Sequence, residues 1–226
     1  MTRLVLFDID LTLVTTHGAG RSAMTEAFRQ LFGIDDSTRG ISFDGRTDHA
    51  IFLETLARHG LATGNGAAYQ QAVEGYLHHL PAVLRAKGGQ VLPGVIDLLD
   101  ALQREGIPVG LATGNMRRGA RAKLSHFGLW ERFAAGGFGD ATADRSEVVA
   151  MAIAGLAAAA GVTADPAACI VIGDTPLDVE AAHRTGARAL AVATGSHPVD
   201  ALSASGAEWV LPGLAATGDL LRILRG

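Results

Sequence analysis

The sequence predicts an α/β protein in which helices cover both faces of a parallel sheet. Apolar runs that suit buried strands begin at Leu4, Val109 and Cys169. From Val91 onward such runs alternate with segments of helical spacing, which is typical of parallel strands joined by right-handed helical crossovers. The chain has 226 residues, of which 48% are hydrophobic, and this is enough to bury a sizeable interior. We therefore predict a three-layer, Rossmann-like core.

The first strand leads directly into two carboxylates, Asp8 and Asp10. Residues two apart in a strand point the same way, so both acids can leave its carboxyl end toward one small volume. Ligands bind at that end in open α/β sheets. A divalent cation such as Mg²⁺, which takes carboxylates, waters and a phosphate as ligands, relieves the repulsion between crowded acids. Taken alone, the short pattern more often marks a turn with two solvated acids.

Residues 15–89 predict a small all-helical domain inserted after the first strand. Apolar residues recur at helical spacing in this segment, Asp48 is expected to cap one of its helices, and glycines lie at both ends. Residues 1–14 and 90–226 then form the core. Because the insert begins just beyond the acidic strand end, we expect it to close over a ligand and exclude water. A static subdomain that only adds core is the alternative.

Two later strands also end in polar residues. Thr113, Gly114 and Asn115 follow one strand, where a hydroxyl and the N–H groups of the next helix can hold phosphate oxygens. Asp174 follows another strand, and Asp178 lies in the first turn of the next helix. Helix capping explains either pattern by itself. Together with the first two acids, however, they would gather four carboxylates at one sheet edge, which is hard to justify energetically without a cation.

The order of these motifs resembles the haloacid dehalogenase superfamily. The order is Asp8-x-Asp10-x-Thr12, a helical insert, Thr113-Gly114-Asn115, a basic residue, and Gly173-Asp174-x-x-x-Asp178. Within the superfamily the chain is similar to small phosphatases of the phosphoglycolate phosphatase type, whose helical cap is inserted after the first motif. The resemblance covers essentially the whole chain.

The resemblance implies hydrolysis of a small phosphomonoester through an aspartyl-phosphate intermediate. Asp8 would be the nucleophile that attacks phosphorus. Asp10 would protonate the leaving alkoxide and then take a proton from the hydrolytic water. Thr113, Gly114 and Asn115 would hold the transferring phosphoryl group.

The resemblance also implies Mg²⁺ as the cofactor. The ion would be held by the Asp8 carboxylate, the backbone carbonyl of Asp10 and the Asp174 carboxylate. Asp178 and Thr12 would support this site from further out. The charge of the ion would offset the repulsion between the acids and a phosphate dianion.

Three further positions bear on the comparison with the family. Arg145 stands where the family commonly has a lysine beside the nucleophile; it is expected to be the catalytic cation, although a guanidinium differs in geometry from an ammonium. Leu11 replaces a usual glycine, at a variable position. Arg46 lies in a segment that resembles the specificity loop of related enzymes, so it is expected to reach an anionic or polyhydroxy group at the substrate's non-reacting end. A loop arginine without this role is the alternative.

Two other functions remain open, and particular residues argue against two more. A phosphosugar mutase of the β-phosphoglucomutase kind uses the same first-motif acids and a closing cap, so it is the main alternative. A catalytically silent anion-binding protein is a further one. Asp10 argues against a dehalogenase, which lacks this second acid. Residues 1–86 contain no lysine, which argues against Schiff-base cleavage of a phosphonate by the insert.

Composition argues against nucleic-acid and membrane partners. The net charge is −4, and there is no long run of one sign. No apolar run approaches the ~20 residues of a membrane span. Arg117, Arg118, Arg121 and Lys123 do cluster, but we expect them to form a solvated helix face. A small phosphorylated metabolite is therefore the expected partner.

A cytoplasmic location is expected. Asp8 interrupts the first apolar run, so no charged-then-apolar leader is recognisable at the amino terminus. Cys169 is the only cysteine, which excludes a disulfide within the chain. The expected oligomeric state is a monomer or a homodimer.

Overall fold

The computed structural model describes residues 3–61 and 64–225, and the following elements lie within these residues. The strands are β1 (Leu4–Phe7), β2 (Val14–Thr15), β3 (Gln90–Val91), β4 (Val109–Thr113), β5 (Ala135–Phe138), β6 (Cys169–Gly173), β7 (Arg188–Val192) and β8 (Trp209–Leu211). The α-helices are α1 (Ala19–Phe32), α2 (Asp48–Arg58), α3 (Ala67–Lys87), α4 (Val95–Arg104), α5 (Arg117–His126), α6 (Arg145–Ala160), α7 (Pro176–Arg184), α8 (Val199–Ala204) and α9 (Thr217–Arg225).

Six strands form one parallel sheet in the order β5-β4-β1-β6-β7-β8. The first strand of the chain thus lies in the interior of the sheet, between β4 and β6. Phe7, at the end of β1, is opposite Leu111 of β4 and Ile172 of β6. The carboxyl ends of these three strands are therefore adjacent. The predicted parallel α/β core is confirmed.

Helices cover both faces of this sheet. Val5 and Phe7 of β1 belong to the hydrophobic cluster that β1 shares with α4, α5 and α9. Leu4 and Leu6 point to the opposite face and belong to the cluster shared with α6, α7 and α8. Because successive side chains of a strand alternate between faces, a strand buried on both sides must be apolar throughout. This requirement explains the continuous apolar run with which the chain begins.

Helices α1, α2 and α3 pack around a third hydrophobic cluster. Phe28, Phe52 and Tyr76 are buried in it, and Met116 of the core also belongs to it. At the base of this helical unit, β2 and β3 pair antiparallel, with Val14 opposite Val91. We call residues 15–89 the cap; that they form a separate domain stays a prediction.

The predicted N-cap of α2 was wrong by one residue. Thr47 caps this helix, because its side-chain oxygen accepts the N–H of Ala50 at 3.2 Å. Asp48 is the first helical residue, and its carboxylate turns instead to the core, where it accepts the N–H of Met116 at 2.8 Å. Thr and Asp are both good capping residues, so their order along the chain did not decide between them.

No helix in the described part of the chain combines the length and the apolar character that crossing a membrane requires.

Gly137 allows β5 to lie directly against α6. A Cβ atom at this position would lie 1.9 Å from the carbonyl oxygen of Val148 and 2.9 Å from the backbone nitrogen of Ala152. We therefore predict that Gly137→Ala lowers the free energy of unfolding by about 1–3 kcal/mol, because the helix must move away from the sheet. Urea unfolding at equilibrium measures this change.

Gly155→Ala, within α6, is the matched control. Its Cβ atom would meet only the Cβ of Ala135, at an ordinary contact distance of 3.7 Å. Alanine in a helix interior is more favourable than glycine, so this variant should gain about 0.5–1 kcal/mol in free energy of unfolding. Equal stability of the two variants would contradict the close packing of β5 on α6.

Candidate active site

Three neighbouring strands deliver polar residues to one edge of the sheet. Asp8 follows β1, Thr113 ends β4, and Asp174 follows β6. The backbone N–H of Asp8 donates to the carbonyl oxygen of Ile172 at 2.9 Å, which continues the strand pairing up to the acid. Asp8, Thr113 and Asp174 are 6%, 0% and 3% exposed. The side chains that the sequence placed at separate strand ends thus lie together on the floor of one site.

The floor of this site is crowded with carboxylates. Carboxylate oxygens of Asp8, Asp174 and Asp178 lie within 4.8 Å of one another. Burial is the main cause that raises the pKa of Asp8; Arg145 lowers it, and the charges of Asp178 and Asp10 raise it. Burial also raises the pKa of Asp174, and Asp178 and Asp8 add to the shift. Burial, reinforced by like-charge repulsion, therefore disfavours the charged forms of Asp8 and Asp174.

Arg145 is the cation among these acids. Asp144 caps α6 by accepting the N–H of Ser146, and Arg145 is the first residue of the helix. Its Nη2 atom lies 2.9 Å from Oδ1 of Asp8 and also contacts Oδ1 of Asp178. Arg145 is 8% exposed, so these ion pairs are shielded from solvent. This is the position at which the sequence predicted a cation beside the nucleophile.

The donor set fits a hard divalent cation. Carboxylate oxygens are the ligands that Mg²⁺ takes from proteins. Both oxygens of Asp178 already have partners, because Arg145 contacts one while the backbone N–H and the hydroxyl of Thr175 donate to the other at 3.0 and 2.7 Å. Asp8 and Asp174 are therefore the better placed ligands, which agrees with the supporting role expected for Asp178.

Thr12, the other residue expected to support the site, is buried directly after the first two acids. Its Oγ1 atom has no hydrogen-bond partner among the described residues. Its role stays a prediction.

Asp10 is held by side chains from two other elements. Its Oδ2 atom accepts a hydrogen bond from Nδ2 of Asn115 at 2.8 Å and another from Nζ of Lys123 at 2.6 Å. Lys123 also donates to Oδ1 of Asn115 at 2.6 Å, and Asn115 donates to Oγ1 of Thr113 at 2.9 Å. The two predicted phosphate-binding side chains thus connect to the predicted proton-transfer residue.

The prediction that Lys123 lies on a solvated helix face was wrong. Arg117, Arg118 and Arg121 are exposed, whereas Lys123 is 5% exposed. A signal in the sequence could have shown this difference. Lys123 lies three residues after Ala120, on the apolar side of α5, and residues three or four apart share a helix face. The position of Lys123 on the helix, rather than its charge, therefore indicates that it is buried.

One segment of the cap rests on the loop that follows β4. The N–H of Asp48 donates to the carbonyl oxygen of Gly114 at 2.7 Å, and a Cβ atom at Gly114 would lie 2.1 Å from the carbonyl oxygen of Arg46. The Asp48 carboxylate accepts the N–H of Met116. Burial raises the pKa of Asp48 to about 6, while Lys123 and the Met116 N–H lower it. Only glycine at position 114 permits this approach of the two backbones.

A cavity of about 240 Å³ lies between the cap and the carboxylate cluster. Its cap side includes Arg21, Met24, Phe43, Arg46 and Tyr76. It therefore offers a small space with polar groups at its floor and a roof of apolar, basic and acidic residues, the acidic ones being Asp44 and Asp48.

The two arginines of this roof have different partners. Nη1 of Arg46 lies 2.6 Å from the carboxylate of Glu54 and 3.2 Å from the carbonyl oxygen of Ser42. Arg21 donates to two carbonyl oxygens of the cap, and its guanidinium lies 4.0 Å from the centre of the Phe43 ring. Among the described residues, Arg21 has no carboxylate within ion-pairing distance.

Leu11, between the first acid pair and Thr12, has a left-handed backbone with φ of 59°. This conformation costs an L-residue with a side chain roughly 1–2 kcal/mol, a cost that glycine does not bear. The backbone geometry therefore gives a physical reason for the glycine that is usual in the first motif. It also places backbone strain next to the acids, where such strain is often found.

The buried acids at the carboxyl edge of the parallel α/β core thus open into a cavity that residues of the cap line on its other side. A family model described as haloacid dehalogenase-like hydrolase matches residues 5–183, and the chain belongs to this family. The resemblance seen in the sequence is thereby confirmed.

The chain is similar in sequence to proteins that are named as phosphatases. The chain is 31% identical over 210 residues to a probable phosphatase, IndB, of Dickeya dadantii, covering 91% of this chain and 87% of that protein. It is 29% identical over 230 residues to a phosphoglycolate phosphatase of Rhodospirillum rubrum, covering 98% and 91%. Both relatives are named as phosphatases, and the family to which this chain belongs is described as hydrolases.

Solved structures share the fold. A putative β-phosphoglucomutase of Bacteroides vulgatus superposes with a TM-score of 0.72 at 18% identity, covering 99% of this chain and 89% of that one. At this level of identity the likeness concerns the fold alone.

Removing one buried acid should change stability in a pH-dependent way. The pKa of Asp174 is raised in the folded protein, whereas an unfolded Asp titrates at about 3.9. Above that pH the unfolded chain releases a proton that the folded chain retains, so this carboxyl destabilises the fold increasingly as pH rises toward the folded pKa. We predict that Asp174→Asn raises the Tm of the metal-free protein, and more so at pH 8.5 than at pH 5.5.

Thermal unfolding in EDTA and in MgCl₂ tests this expectation. Mg²⁺ should raise the Tm of the wild-type protein more than that of Asp174→Asn. Asp35→Asn, at an exposed position, is the control and should behave as the wild type does. A lower Tm of Asp174→Asn in EDTA at pH 8.5 would contradict the repulsion inferred for this cluster.

Proposed function

We propose that the protein is a Mg²⁺-dependent phosphatase that hydrolyses a small phosphomonoester through an aspartyl-phosphate on Asp8. The supporting observation is the buried Asp8 at the carboxyl end of β1, 2.9 Å from Arg145 and at the floor of the cavity. A carboxylate held by a cation at the floor of a cavity beneath the cap has the position that a nucleophile toward a bound phosphate needs.

In the first step, a carboxylate oxygen of Asp8 attacks phosphorus, and the bond from phosphorus to the ester oxygen breaks. Asp10 gives its proton to that oxygen, so the alcohol leaves uncharged. Thr113, Asn115 and the backbone of Gly114 hold the oxygens of the phosphoryl group during transfer. Arg145 offsets part of the negative charge that accumulates on Asp8 and the phosphoryl group.

In the second step, water attacks the phosphorus of the aspartyl-phosphate, and Asp10 takes the proton of that water. The bond between phosphorus and the Asp8 oxygen breaks, which releases inorganic phosphate and restores the carboxylate. Mg²⁺ held by Asp8 and Asp174, with the Asp10 carbonyl, would supply positive charge against the repulsion between acid and phosphate dianion. The closed cap keeps bulk water from the site during the first step.

The substrate is proposed to be a small phosphorylated metabolite, and the location cytoplasmic. The cavity of about 240 Å³ supports a small leaving group. Cys169 is buried and has no disulfide partner, which fits a reducing compartment.

Substitution of the two acids tests the covalent route. We predict that Asp8→Asn abolishes turnover of p-nitrophenyl phosphate with Mg²⁺, because the amide oxygen is a poor nucleophile. Asp10→Asn should still become phosphorylated by this substrate, since p-nitrophenolate leaves without a proton, but should lose the second step. Intact-protein mass spectrometry would then detect one phosphoryl group on Asp10→Asn and none on Asp8→Asn.

Persistent turnover by Asp8→Asn would refute the proposed nucleophile. The mutase alternative rests on the acids of the first motif and the closing cap that such mutases also use, and it is tested separately. If the wild-type protein interconverts sugar-phosphate isomers without releasing phosphate, the protein is a mutase and the hydrolytic proposal fails.

Arg21 is the cap residue that we propose for recognition of an anionic group on the alcohol, ahead of Arg46. The charge of Arg46 is already balanced by Glu54 at 2.6 Å, so Arg46 must leave this partner to reach a substrate. Arg21 is held in place by the carbonyl oxygens of Thr38 and Ile41, and three of its five N–H groups remain available. Arg21 lines the cavity and forms no ion pair with a described residue.

We therefore predict that Arg21→Met raises KM for 2-phosphoglycolate by about 10-fold or more, the loss expected for a hydrogen bond between charged groups. KM for p-nitrophenyl phosphate, whose leaving group carries no carboxylate, should change little. Arg46→Met is the matched variant and should have the smaller effect on 2-phosphoglycolate. Steady-state kinetics of both variants with both esters tests this proposal. A larger rise in KM for 2-phosphoglycolate in Arg46→Met than in Arg21→Met would show that Arg46 recognises the anionic group.

A further inference from the structure

We propose that Lys123 is a positioning residue for catalysis, which fixes the carboxylate of Asp10 and the amide of Asn115. This inference rests on the proposed function, because it concerns the residue proposed to transfer the proton. Lys123 lies outside the motifs of the sequence analysis and comes from the middle of α5.

Lys123, Asp10 and Asn115 form a closed triangle of hydrogen bonds. The ammonium group donates to Oδ2 of Asp10 and to Oδ1 of Asn115, both at 2.6 Å. The third side of the triangle is the bond from Nδ2 of Asn115 to the same Asp10 oxygen, at 2.8 Å. Each of the three side chains is thus restrained by the other two.

The lysine determines the orientation of the Asn115 amide. An ammonium group can only donate hydrogen bonds, so the group of Asn115 that faces it must be the carbonyl oxygen. The NH₂ group is then directed to Asp10 and to Thr113, as the distances of 2.8 and 2.9 Å require. Without the lysine, the amide could rotate and offer its oxygen to the Asp10 carboxylate, which would repel it.

The triangle also selects one oxygen of Asp10 for chemistry. Both hydrogen bonds to its side chain go to Oδ2, and no described residue donates to Oδ1. The Asp10 side chain is 38% exposed and lines the cavity. Oδ1 is therefore the oxygen available to exchange a proton with the leaving group or with water, in an orientation fixed from behind by Lys123 and Asn115.

The burial of Lys123 argues that its charge has a function. Its side chain is 6% exposed beneath the cap, where a Cβ atom at Gly20 would lie 3.5 Å from Nζ, and Tyr76 is close by. Removing an ammonium from water is costly, and apolar residues often stabilise such a place equally well. A helix that needed only to fill this space would be served by methionine. The ammonium instead contacts two residues of the proposed reaction.

The experiment compares Lys123→Met and Lys123→Arg with the wild-type protein on two esters. One is β-glycerol phosphate, whose alkoxide needs a proton to leave; the other is p-nitrophenyl phosphate, whose phenolate does not. We expect Lys123→Met to lower kcat for β-glycerol phosphate by about 100-fold or more, the contribution typical of a placed general acid. KM should stay near the wild-type value, and the rapid first release of p-nitrophenolate should persist. Lys123→Arg should recover part of the lost kcat.

Several outcomes would overturn the proposal. A rise in KM with unchanged kcat would mean that Lys123 binds the substrate directly. Equal losses of the first step with both esters would mean a general disturbance of the site, and unchanged kinetics would mean no role. If the methionine variant does not fold, Lys123→Gln is measured in the same way and judged by the same contrast between the two esters.

The result that would refute the proposed function differs from the results that would refute the role of Lys123. If Asp8→Asn keeps full activity, the covalent route is wrong, whatever the Lys123 variants show. If Asp8→Asn is inactive and the Lys123 variants show no contrast between the esters, only the positioning role is wrong.

Discussion

The structure depends on how a few buried cations balance a larger group of buried carboxylates. Three parallel strands end side by side, so their acids meet in a space that water hardly reaches. Arg145 is shared between Asp8 and Asp178, and Lys123 is engaged by Asp10. Asp174 has no such cation of its own among the described ion pairs, and its carboxyl has a raised pKa. The deficit of positive charge is concentrated at the cluster of Asp8, Asp174 and Asp178, the three acids that could hold a metal ion.

Much of this arrangement could be predicted from the sequence, because strand ends are local features with long-range consequences. Apolar runs buried on both faces indicated a parallel sheet, and the polar residues at the end of each run indicated its carboxyl edge. The sequence did not indicate that β1 would be flanked by β4 and β6 in particular. Arg145 was also found through the order of motifs, since nothing in its immediate neighbours distinguishes it from a surface arginine.

The misses share a physical cause: they concern side chains whose partners lie on distant elements. Lys123 was assigned to solvent because charge is usually exposed, whereas its position on the apolar side of α5 directs it beneath the cap. Asp48 was predicted to cap α2, whereas its carboxylate accepts a hydrogen bond from the N–H of Met116 in the core. Sequence patterns describe what one element presents, and they do not show which group from another element will meet it.

The small ladder of β2 and β3 has a consequence for how the cap is attached to the core. Val14 pairs with Val91, so the chain enters and leaves the helical unit through two strands that are hydrogen-bonded to each other. The two crossings therefore form one joint attachment rather than two separate ones. The bond from the Asp48 N–H to the Gly114 carbonyl oxygen is a second attachment, and it joins the cap to the loop that is proposed to hold the phosphoryl group.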